Sequence, residues 1–206
     1  MNSPADQGTL DAAPDADRRK PLTAATGLVG AAGLAAASIP FVASMSPSER
    51  TRAGGAPVNV DFARLGPGEL LTGEWRGKPV WILHRTMTML RALERPAHRA
   101  KLADPESRVT NQQPPYARNA FRSLKPEYLV LVPVCTHLGC VPTFRPEGAP
   151  PDLGPDWPGG YFCPCHGSKF DLAGRVYRNV PAPTNLVIPP HKYVTDARVL
   201  IGEDTR

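Results

Sequence analysis

Cys135-Thr136-His137-Leu138-Gly139-Cys140 and Cys163-Pro164-Cys165-His166-Gly167-Ser168 together hold all four cysteines of the chain and two of its five histidines. Each segment offers two sulfur donors and one imidazole. Gly or Pro beside them lets the backbone fold tightly around something small. Two matched loops of soft and borderline donors are a metal signal. A tetrahedral zinc would take two Cys and two His and leave two thiols over. Zinc sites, however, usually build each half from the same short Cys-x-x-Cys knuckle. Here Cys-x-His faces Cys-x-x-His, a pairing that suits a 2Fe–2S cluster with one iron on two thiolates and the other on two imidazoles.

Outward from these loops the apolar residues come in short runs of strand length. Tyr128 to Val134, just before the first loop, reads as a buried strand. Leu70 to Trp75 and Pro79 to His84 flank Arg76-Gly77-Lys78 and predict a hairpin. Phe170 to Tyr177 predicts another, turning at Ala173-Gly174. Leu186 to Ile188, Lys192 to Thr195 and Arg198 to Ile201 read as short closing strands. One helix is predicted over Thr86 to Arg95, with Met87, Leu90 and Leu93 on one face, Thr86 as cap and Pro96 as stop. A polar, proline-containing insertion follows, and its Arg and Lys residues over 91–125 read as a solvated face. With 25 prolines and 18 glycines in 206 residues and no βαβ alternation, the head is expected to be mainly antiparallel β with a helical insertion.

Towards the amino terminus, Arg18-Arg19-Lys20 precedes Leu22 to Ala43, a run without a charged residue. A helix of that length reaches roughly 33 Å, enough to cross a bilayer core. The basic flank predicts a cytoplasmic amino terminus and an exported remainder. Adjacent arginines before a weakly apolar Ala/Gly stretch also resemble a twin-arginine export signal, and Ala35-Ala36-Ala37 offers a small-residue cleavage site. The expected organisation is a polar tail over 1–17, a signal-anchor over 18–43, a flexible hinge over 44–57 and an exported domain over 58–206. The charge balance, 24 Lys+Arg against 19 Asp+Glu, is mild and dispersed, which argues against a nucleic-acid partner. His84, His98 and His191 have no partner cysteine and are expected to serve surface or packing roles. Trp75, Trp81 and Trp157 are expected in the core.

The two loops resemble the paired boxes of the Rieske iron–sulfur proteins of the cytochrome bc complex. The likeness extends through the anchor, the tether and the proline segment Val180-Pro181-Ala182-Pro183. It implies an antiparallel Rieske-type β-sandwich head on one transmembrane helix. It implies a 2Fe–2S cluster held by Cys135, His137, Cys163 and His166, a Cys140–Cys165 disulfide, a hydrogen bond from Ser168, and apolar cover from Leu138 and Pro183. The implied partners are ubiquinol, cytochrome b and a c-type cytochrome within a dimeric complex, with the anchor in a bacterial inner membrane and the head in the periplasm.

By the same resemblance His166 meets the quinol and receives its electron and proton together, because the outer nitrogen of a ligating imidazole responds to the charge on the iron. The hinge then lets the head swing between quinol and haem. Neutral imidazoles make such a centre easier to reduce than an all-cysteine one. Two positions depart from the family pattern. Phe170 stands where many members have a hydrogen-bonding Tyr, which predicts a lower potential, and Val180 replaces the first Gly of the proline segment. Two other readings differ in their partners or metal. The small Rieske subunit of a periplasmic oxidase such as arsenite oxidase would co-purify with a large molybdenum subunit. A structural zinc module would be colourless and lack a reduced paramagnetic signal.

Overall fold

The computed structural model describes residues 16–46, 48 and 55–204. Half of the hinge segment 44–57, Gly54 included, and residues 1–15 of the tail lie outside them. Two compact units divide the chain near residue 50.

The first unit carries α1 (Ala16–Ser44). Its span Arg19–Ser44 contains an 18-residue window with a mean hydropathy of 1.7 and is long and apolar enough to cross a membrane. The hydroxyls of Thr23, Thr26, Ser38 and Ser44 donate to carbonyls three or four residues back. Such internal bonding hides these polar groups from hydrocarbon.

The second unit contains β1 (Val58–Asp61), β2 (Leu70–Trp75), β3 (Lys78–His84), α2 (Met87–Glu94), α3 (Pro96–Arg99), β4 (Tyr128–Leu131), β5 (Thr143–Arg145), β6 (Gly160–Phe162), β7 (Lys169–Asp171), β8 (His191–Thr195) and β9 (Arg198–Ile201). They form three antiparallel three-stranded sheets in the orders β1-β9-β8, β2-β3-β4 and β5-β6-β7.

The middle sheet is apolar because both of its faces are covered. Side chains alternate along a strand, so Trp81, Leu83, Leu129 and Leu131 face the core that also holds Cys135 and Cys163. Val80, Ile82, Val130 and Val132 face the opposite way, onto Phe62, Val199 and Ile201. The strand carrying the first loop is thereby clamped from both sides.

The β2–β3 loop is tighter than its three-residue reading, since Lys78 already pairs with Trp75. Arg76 and Gly77 both adopt positive φ, 54° and 68°, the conformation that matches strand twist in a two-residue hairpin. Thr86 Oγ1 accepts from Met89 N–H and caps α2, whose buried residues are Leu90, Ala92 and Leu93. Met87 instead points to solvent. Pro96 ends α2 and then opens α3, where its missing N–H costs nothing. Leu186 to Ile188 is not a strand. It makes one bridge, Val132 to Val187, while Leu186 N–H and Ile188 N–H donate to Gly174 and Gln112.

Candidate metal centre

The first loop joins β4 to β5 and the second joins β6 to β7. Their backbones fold alike. Cys135 N–H donates to Cys140 O (2.8 Å) and Gly139 N–H to Cys135 O (2.9 Å). In the second loop Cys163 N–H donates to Ser168 O (2.8 Å) and Gly167 N–H to Cys163 O (2.9 Å). The fifth residue of each six-residue loop needs positive φ, and glycine supplies it at 85° and 76°.

This shared path sends the leading cysteines inward, where Cys135 and Cys163 are buried and unpaired. Burial raises the Cys135 thiol above its ordinary value, and the adjoining Cys163 sulfur adds to the effect. The His137 N–H and the Ser168 hydroxyl act in the opposite direction. The histidines emerge at the surface, His137 half-buried and His166 exposed. Their rings meet edge to face with centroids 4.7 Å apart. Cys140 and Cys165 are joined in a disulfide across a Cα separation of 6.7 Å. Cys163 Sγ lies within 4.8 Å of both disulfide sulfurs. Those two are bonded to each other and are not thiolate donors, so that trio is no metal site.

The proline segment laces the loops together. Ala182 N–H donates to Ser168 Oγ (3.0 Å), and Thr136 Oγ1 donates to Thr184 O (2.7 Å). Ser168, fully buried, therefore has its hydroxyl proton free for a sulfur. Phe170 is also fully buried and pairs across the sheet with Tyr161. The Tyr161 hydroxyl is buried and has no partner among the described residues. Leu138 is 70% exposed and Pro183 is exposed, so both form outer surface.

The remaining histidines pack. His84 Nδ1 meets Leu65 O at 2.9 Å, His98 Nε2 meets Asp171 Oδ2 at 3.0 Å, and His191 is fully buried. Trp81 and Trp157 are core residues, and Trp75 is half-buried. The insertion differs from its reading as a wholly solvated face. Arg122 lies at 0% exposure, and Arg85 and Arg175 are buried as well. The later spacing Asp171-x-x-x-Arg175, with both side chains buried and their nearest atoms 2.7 Å apart, is the signal in the sequence that could have revealed this interior.

The donor chemistry fits the group expected of it. Two adjoining buried thiols and two adjoining imidazoles, locked by matched loops, suit a binuclear centre with unlike ends. The fold and site are those of an iron–sulfur protein of the Rieske class, and the Rieske [2Fe-2S] domain family matches residues 80–190. The cofactor is a Rieske-type 2Fe–2S cluster. Residues 10–48 match the family described as the ubiquitinol-cytochrome C reductase Fe-S subunit TAT signal.

The chain is 61% identical over 187 residues to the ubiquinol-cytochrome c reductase iron-sulfur subunit of Allochromatium vinosum, covering 91% of this chain and 89% of the relative. It is 43% identical to the subunit of the same name from Blastochloris viridis, covering 91% and 94%, and 39% identical to that of Bradyrhizobium diazoefficiens, covering 94% and 99%. It belongs to the family of ubiquinol–cytochrome c reductase iron–sulfur subunits.

Proposed function

We propose that Cys135 and Cys163 hold one iron of the cluster and His137 and His166 the other, and that this head carries electrons from ubiquinol to a c-type cytochrome. The observation that carries the reading is the gradient of exposure across the site. Cys135 and Cys163 are only 2% and 1% exposed, while His166 reaches solvent. When bound, the cluster supplies one-electron redox chemistry at a potential raised by its imidazole ligands.

The chain's own residues do the rest. His166 presents its outer ring nitrogen to an incoming quinol hydroxyl, accepts a hydrogen bond from it and takes its proton. Exposed Leu138 and Val141 give the tip an apolar rim suited to a hydrophobic quinol pocket on cytochrome b. The disulfide and the Thr136 and Ala182 bonds keep the two loops in place. Ser168 directs its hydroxyl proton to the Cys135 sulfur, a bond that favours added negative charge there.

The subunit acts within a cytochrome bc complex, beside cytochrome b and a c-type cytochrome in a dimeric assembly. α1 anchors it in the inner membrane, the head lies in the periplasm, and segment 44–57 acts as the leash. Native purification from membranes tests this reading. Haems b and c should co-purify with the chain. The reduced g-anisotropic resonance should vanish in Cys135→Ser, Cys163→Ser, His137→Ala or His166→Ala. A 2Fe–2S resonance that survives removal of both histidines would overturn the ligand assignment.

A further inference from the structure

Three arginines converge on one five-residue turn, Asp171 to Arg175, which follows the second loop by way of β7. Arg85 Nη1 donates to Leu172 O (3.3 Å) and to Phe121 O (2.8 Å). Its Nε reaches Pro126 O (2.8 Å) and its Nη2 reaches Ser123 Oγ (2.7 Å). Arg122 Nη1 donates to Ala173 O (3.1 Å) and Gly174 O (3.3 Å), and its Nη2 to Gln112 O (3.3 Å) and Gln113 Oε1 (3.0 Å). Arg175 Nε donates to Asp171 Oδ2 at 2.7 Å.

Asp171 is the one fully buried carboxylate among the described residues, and Arg175 occupies it. Every hydrogen-bond partner of Arg85 and Arg122 is neutral. Buried charges normally find a counterion, because carbonyl dipoles lessen the desolvation cost without cancelling the charge. Burial lowers both guanidinium pKa values to about 10, so both stay charged at neutral pH. Leu172 and Ala173, whose carbonyls they grip, share one buried core with Cys135 and Cys163. The medium between the charges and those sulfurs is thus packed protein, which screens far less than water.

We propose that Arg85 and Arg122 set the reduction potential of the centre, as buried positive charges with no carboxylate among their hydrogen-bond partners, which favour the more negative, reduced state. They touch neither substrate nor the proposed ligands and act through space. The inference rests on the assignment of Cys135, Cys163, His137 and His166 as ligands.

The test is a redox titration of the full-length holo chain in membranes, followed by electron paramagnetic resonance. Arg122→Met should shift the midpoint potential downward with the spectrum's shape intact, and Arg122→Lys should restore it towards the unmodified value. Gln113→Glu, which keeps the guanidinium and places a carboxylate against it, should also shift the potential downward. An unchanged potential in a cluster-bearing Met or Glu variant would overturn the proposal. So would a Lys variant that falls as far as Met, since packing would then be the cause. Loss of the cluster from all three variants would make the role structural and would also overturn it. The spectrum of the unmodified chain and of its His137 and His166 variants tests the ligand assignment separately.

Discussion

His98 Nε2, on the short helix α3 of the insertion, lies 3.0 Å from Asp171 Oδ2 on the strand that leaves the second cysteine loop. Arg175 Nε meets the same oxygen at 2.7 Å. Burial alone would raise the Asp171 carboxyl, but Arg175 and His98 outweigh it and hold the group far below its ordinary 3.8. Stability from this depressed carboxyl is complete above pH 3.8 and is lost as the pH falls below it. Asp171→Asn should cost about 3–5 kcal/mol by leaving the guanidinium unpaired. Urea unfolding should show the drop at pH 7 and a flatter dependence on pH below 4.

His191 links stability to a milder pH range. Burial lowers its pKa from 6.5, and the Pro189 carbonyl, 2.8 Å from Nδ1, only partly offsets this. Nε2 is buried with no partner among the described residues, so protonation would strand a charged N–H in the interior. The neutral ring's contribution is complete above pH 6.5 and declines as the pH drops towards the lowered value. Thermal melts should therefore lose stability just below pH 6.5. His191→Asn, which keeps a donor for Pro189, should abolish that part of the slope.

The Cys140–Cys165 bond closes a loop with a sequence separation of 25. Cys140→Ala/Cys165→Ala should lose about 2–4 kcal/mol, seen as earlier bleaching of the visible absorbance on heating. Unaltered bleaching would mean that the proline segment alone secures the loops.

Phe170 is fully buried opposite Tyr161. Phe170→Tyr brings a hydroxyl into the sulfur-bearing core, and the potential should rise in protein-film voltammetry. An equal or lower value refutes the idea that this position controls the centre.

Gly54→Pro/Gly55→Pro should stiffen the proposed leash and slow quinol-to-cytochrome turnover while leaving the cluster spectrum unchanged. Equal turnover would count against a swinging head.

The loops were legible because donors and glycines stand at fixed offsets, and the β2–β3 hairpin because strand-length apolar runs flank a glycine. β5 and β6 carry no such signal. Each has three residues, and Gly160 and Arg145 break any alternation. Leu186 to Ile188 has the composition of a strand, yet its N–H groups serve neighbouring loops, which only the tertiary fold can reveal. The burial of Arg122 is illegible for a related reason. A lone arginine in a polar insertion reads as solvated, and its burial depends on carbonyls 51 and 52 residues away.

The two loops share a backbone path, yet the clasp ties the sixth residue of one to the third of the other, and the imidazoles stand third and fourth. Near-twins joined off-register cannot trade places. The tip therefore has a fixed front and back, and a visitor that approaches through His166 finds the same doorway on every molecule.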